Sequence, residues 1–117
     1  MTVVVQGLRS DRGTVEIGLF SSEETWKSGK NKFAGSKISI RNGKAVWEVE
    51  NIPYGFYAVR LFHDENGNDK LDTNFFGMPT ESYGFSNNSK AMFGFPSFSK
   101  AKFMFDEKHN AITITID

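Results

Sequence analysis

The chain has no cysteine, which removes disulfide bridges, thiol nucleophiles and cysteine zinc sites together. It has no excess charge of either sign, since 14 Lys and Arg stand against 14 Asp and Glu. A nucleic-acid binder needs a basic surface to displace counterions from phosphates, so this balance argues against that partner. No apolar run is long enough to span a bilayer. No secretion leader is visible either, because Thr2 leads straight into Val3, Val4 and Val5. There are two histidines, far apart, and no G-x-S-x-G nucleophile motif. With 117 residues, a single domain over 1–117 is expected, as a second core would be too small to hold.

What the chain has in quantity is phenylalanine, 12 residues beside 2 Trp and 3 Tyr. Each ring buries a large area, so a small domain can build its core from them. Strand signals run along most of the length. Val3 to Leu8 reads as a strand closed by the polar turn Arg9 to Gly13. Thr14 to Phe20 alternates, with Val15, Ile17 and Leu19 on one face, and is expected to pair with the first strand as a hairpin. Ser21 with Glu24 fits a capping box, which places a short helical turn there and carries Trp26 onto the sheet. Asn42-Gly43 is the preferred pair for a type I′ hairpin. Pairing Arg41 with Lys44 sets Ile40 opposite Ala45, Ile38 opposite Trp47 and Lys37 opposite Glu48. Phe56 to His63 is apolar on both faces apart from Arg60 and is expected to be central in its sheet. A short strand follows near Tyr83 to Ser86, then alternating segments at Ser99 to Phe105 and Ala111 to Asp117. About seven strands with at most one helical turn indicate an all-β fold, an immunoglobulin-like Greek-key β-sandwich.

Oxygen-bearing side chains gather in one stretch, His63 to Asp72. Asp64, Asn66, Asn68 and Asp72 occupy positions 1, 3, 5 and 9 of a calcium-type loop, with Lys70 at position 7 offering its carbonyl. Alternate residues on a curled backbone point inward, so their oxygens converge on a cation that accepts six to eight ligands. The pattern departs from an EF-hand at two places. Asp69 stands where the glycine would turn the chain, and Phe75 stands where a bidentate Glu would close the site. The competing reading is a long turn held by Asx side chains bonding their own backbone. Calcium is the one cofactor these residues point to. His63 beside Asp64 could serve a hydrolase or isomerase as a general base, but neighbours on a strand point to opposite faces. Tyr83, Phe85, Phe93, Phe95 and Phe98 could line a groove for a glycan or peptide, or else pack the core.

Ile52-Pro53-Tyr54-Gly55-Phe56-Tyr57, the run from His63 to Asn74, Gly77-Met78-Pro79 and Tyr83-Gly84-Phe85-Ser86-Asn87-Asn88 together resemble the bacterial "domain of unknown function 2141" family. The resemblance covers nearly the whole chain. It implies a small exported protein, periplasmic or secreted, whose signal peptide has been removed, and it supplies no catalytic residues. It also implies that the acidic loop and the Tyr83 to Asn88 segment form one feature, with His63, Tyr83, Phe85 and Asn87 as candidate ligand contacts. The expectation is a non-catalytic envelope module, calcium-binding or calcium-stabilised through Asp64 to Asp72. Its partner would be a small molecule, a glycan or another envelope protein.

Overall fold

A computed structural model describes residues 1–71, 79–90 and 95–116. Eight strands are present among them: β1 (Thr2–Gln6), β2 (Thr14–Phe20), β3 (Ala34–Ser39), β4 (Ala45–Glu48), β5 (Gly55–Asp64), β6 (Tyr83–Phe85), β7 (Phe103–Phe105) and β8 (Ala111–Thr115). They form two sheets. One has the order β4-β1-β8, and the other runs β3-β2-β5-β6, with β7 also pairing β5. All described pairings are antiparallel except β1 with β8. The fold is all-β, as the alternation predicts. No helix among the described residues is long and apolar enough to cross a membrane.

The alternating residues explain why the sheets face each other. Val3 and Val5 of β1, Trp47 of β4 and Ile114 of β8 are buried on one side. They share a core with Val15, Ile17 and Leu19 of β2 and with Tyr57, Val59 and Leu61 of β5. A period of two sends these side chains inward and their neighbours outward.

Both expected hairpins are corrected. β1 and β2 lie in different sheets, and so do β3 and β4. The Asn42-Gly43 turn does form, with φ of 54° and 75° at its two centres, as a primed turn requires. Arg41 and Lys44 exchange both backbone hydrogen bonds, at 2.8 and 3.1 Å. The ladder stops after that rung. Ile40 and Ala45 then enter the shared core from opposite layers rather than as a cross-strand pair, so the turn links two sheets. The carboxylate of Asp11 clamps it by accepting from the backbone N–H of Asn42 and Gly43 at 2.9 and 2.8 Å.

The helical content exceeds the single turn expected. α1 (Glu23–Ser28) starts one residue later than the Ser21 box, because the hydroxyl of Ser22 is the cap and accepts from the N–H of Thr25 at 3.2 Å. Gly29, at φ 70°, ends it. α2 (Phe98–Ala101) replaces the first half of the strand expected over Ser99 to Phe105. Ser97 caps it through the N–H of Lys100, and Ala101 is wholly buried. A 3₁₀ turn covers Ser86–Asn88. These pieces cover one end of the outer face of the β5 sheet, where Phe20, Trp26, Ala58, Phe85 and Ala101 make a second core.

The outer face of the β5 sheet sets the position of the candidate acidic and aromatic groups. Register puts Ser39, Thr14 and Asp64 in one row across β3, β2 and β5. The next row on that face is Lys37, Glu16, Phe62 and Tyr83, and the one after it Gly35, Gly18, Arg60 and Phe85. Acidic groups therefore stand at one end of the face and rings at the other.

Candidate functional site

Asp64 is the last residue of β5 and is 1% exposed. The chain then curls back through Glu65 to Lys70. The Oδ1 of Asn66 accepts from the N–H of Asn68 at 3.2 Å, and the Oδ1 of Asn68 accepts from the N–H of Lys70 at 3.0 Å. These are Asx turns, as the competing sequence reading describes. They also set Asp69 at φ 63° and bring its N–H to the Oδ2 of Asp64 at 2.9 Å. Glu81 and Arg9 hold the start of the turn: Oε2 of Glu81 accepts from the N–H of Glu65 at 2.9 Å, and Arg9 Nε donates to Glu65 Oε1 at 2.7 Å. Gly13 packs on the backbone of Asp64 at φ 69°, where a Cβ would lie 1.9 Å from the Asp64 carbonyl oxygen.

This geometry assembles a set of acids only partly anticipated. One carboxylate oxygen each from Glu16, Asp64 and Asp69 lies within 4.8 Å of the others. Two oxygens bound to one calcium at 2.3–2.6 Å can be no more than about 5 Å apart, so the three fit a single ion. Oδ1 of Asp64 and Oε2 of Glu16 are buried and have no hydrogen-bond partner among the described residues. A buried carboxylate oxygen in that state costs free energy unless a cation or donor meets it. Burial pushes the Glu16 carboxyl up from its ordinary value, the Asp69 carboxylate adds to the rise, and Lys37 opposes it. Lys37 Nζ sits 2.5 Å from Asp69 Oδ1, an exposed ion pair that a divalent ion would displace at little cost.

Of the metal ligands read from the loop spacing, Asp64 is in this cluster. Asn66, Asn68 and Lys70 are exposed, with the two amide oxygens turned onto the backbone. Asp72 lies outside the described residues, as does Phe93 of the aromatic group. Spacing within the loop could not reveal Glu16, which comes from β2 48 residues upstream, and Asp69 counted there only as a missing glycine. The signal that could have found Glu16 is its place as the lone acid among Val15, Ile17 and Leu19; the sequence sets its strand beside β1, and the pairing with β5 that brings it to the turn comes from the fold.

The other candidate contacts separate. His63 is on the core side, opposite Val15, with 0% exposure. Its Nε2 lies 2.6 Å from the carbonyl oxygen of Arg12, and its Nδ1 is buried without a partner among the described residues. A ring that donates Nε2–H to a carbonyl inside the protein is held as a structural group rather than presented to a substrate. The side chain of Asn87 donates to the carbonyls of Lys100 and Lys102 at 3.1 and 2.8 Å, fixing the end of α2. Phe85 is buried, whereas Tyr83 and Phe95 are half exposed and meet Phe85 edge to face.

The fold and site define a two-sheet β protein with a three-carboxylate cluster where a strand leaves its sheet. Residues 3–113 match the family described as "Uncharacterized protein conserved in bacteria (DUF2141)". The chain belongs to that family. No curated protein and no solved structure matches it.

Proposed function

We propose that this chain is a non-catalytic module of the bacterial cell envelope, periplasmic or secreted, ordered by calcium. In this reading it is one immunoglobulin-like, Greek-key β-sandwich over 1–117. Asp64, Asp69 and Glu16 hold the ion, and the turn from Asn66 to Lys70 wraps around it. The observation that carries the reading is Asp64 itself: a carboxylate 1% exposed, one oxygen unpartnered, beside two further acids. Three carboxylates without a bidentate Glu at the closing position make a weak site, and weak calcium sites belong to extracellular modules, where the ion is abundant. That supports an exported location.

Thermal melts test it. An ion that binds only the folded state, at about ten times its dissociation constant, adds roughly 1.4 kcal/mol and moves Tm up by about 4–6 °C. Melts in about 10 mM calcium should therefore exceed those in chelator by that much. Asp64→Asn should remove the difference. Superimposable curves for the unaltered protein would overturn the calcium reading.

A further inference from the structure

Arg60 lies on the outer face of β5, in the row with Gly18 and Phe85. It is half-buried, and burial pulls its guanidinium below the usual arginine range. Its Nη1 donates to the carbonyl of Trp26 at 2.7 Å. Its Cζ stands 4.3 Å from the Phe20 ring centre, 5.2 Å from Trp26 and 5.0 Å from Phe95. Among the described residues no carboxylate pairs with it. Rings and a single carbonyl fix the guanidinium in place and leave its other N–H groups for something else. Gly29 makes room for it, since a Cβ there would stand 2.6 Å from Nη2.

Arg60 borders a pocket of about 270 Å³ on this face. Gly18 gives a floor with no side chain, and the Lys32 stem crosses it, its Cδ 3.5 Å from where a Gly18 Cβ would be and its Nζ 3.1 Å from where a Gly35 Cβ would be, so a second cation stands at the rim. Tyr83 and Phe95 stand at the wall, about half exposed. Glu16 forms the opposite side, its Oε2 buried without a hydrogen-bond partner among the described residues. The volume suits one ring-sized body. Two cations call for an anionic group on it, the lone pairs that the Glu16 carboxylate keeps when one oxygen faces a cation call for hydroxyl donors, and exposed ring faces call for a flat C–H surface. An aromatic acid satisfies the first and last of these but gives Glu16 nothing. An acidic sugar satisfies all three.

We propose that the Arg60 pocket binds a uronic-acid sugar, its carboxylate on Arg60 and Lys32, its hydroxyls toward Glu16, and its ring against Tyr83 and Phe95. This goes beyond the calcium reading and does not rest on it. The calcium shift in melting is read without sugar, and sugar binding is read at one fixed calcium concentration, so either can fail alone.

Calorimetric titration of the full chain with galacturonic acid and its trimer, at constant calcium, tests the proposal, with galactose and benzoate as controls. Millimolar binding of the uronate is expected, with none of galactose. Arg60→Gln should weaken it roughly tenfold or more, the cost of one charge-assisted contact. Arg60 also ties down α1, so that variant could lose its fold. Lys32→Gln and Phe95→Ala change exposed side chains and decide the matter in its place, each with an expected loss of several-fold. No uronate binding at about 10 mM, equal binding of galactose, benzoate bound in preference to uronate, or full affinity in the Lys32 and Phe95 variants would each overturn the assignment.

Discussion

Glu16 is the residue where the account is most exposed, because it makes opposite predictions with and without the ion. Its carboxyl is raised above the ordinary value of 4.5, first by burial and then by Asp69. The folded state therefore holds that proton more tightly than the unfolded chain does. Its favourable contribution is complete below pH 4.5 and is lost as pH rises through the higher folded value. Glu16→Gln should consequently stabilise the ion-free protein at neutral pH while abolishing the calcium response, which melts in chelator and in calcium would show. Asp11 carries the other sign. Backbone N–H groups of Gly43 and Asn42 hold its carboxyl below the ordinary 3.8. Its contribution is present above that value and is lost as pH falls through the lower folded one. An acid titration of Asp11→Ala should lack that part of the decline seen in the unaltered chain. Neither role was legible in the sequence, where Glu16 reads as the solvated face of a strand and Asp11 as a turn residue. What they bind is distant in the chain and fixed only by register.

At the scale of elements, the sequence was informative wherever a short-range rule decides the outcome. Asn42-Gly43 makes its primed turn, Val15 to Leu19 alternates into the core, and Asx residues curl the acidic turn. It misled where a partner had to be chosen, since adjacent strands were expected to pair and instead went to opposite sheets. A two-residue turn sets one rung, while the burial available to the apolar faces decides the rest. Ser99 to Phe105 reads as a strand from its alternation, but Ser97 caps a helical turn over its first residues instead. Ser22→Ala should cost about 1 kcal/mol through loss of the α1 cap, measurable by urea unfolding. Gly13→Ala should cost about 2 kcal/mol or more, because it adds a left-handed penalty to a collision with the Asp64 carbonyl. Since that collision displaces the end of β5, the calcium shift should vanish with it.

For the whole molecule, the two sheets and their shared core carry the stability, and the outer face of the β5 sheet carries both proposed sites. Ile114 is wholly buried between the layers. Ile114→Ala should cost about 2–5 kcal/mol in denaturant unfolding and leave any calcium response of the folded fraction intact. That separation of core from site follows from the alternation along β2 and β5, where odd residues of Val15 to Leu19 face inward and Glu16 and Gly18 face out. The central claim is that one cation joins β2 to the turn after β5. A crystal grown in calcium tests it most directly. The account predicts a single strong peak 2.3–2.6 Å from oxygens of Glu16, Asp64 and Asp69 together. A peak held by Asn66 and Asn68 without Glu16, or no peak at millimolar calcium, would contradict it.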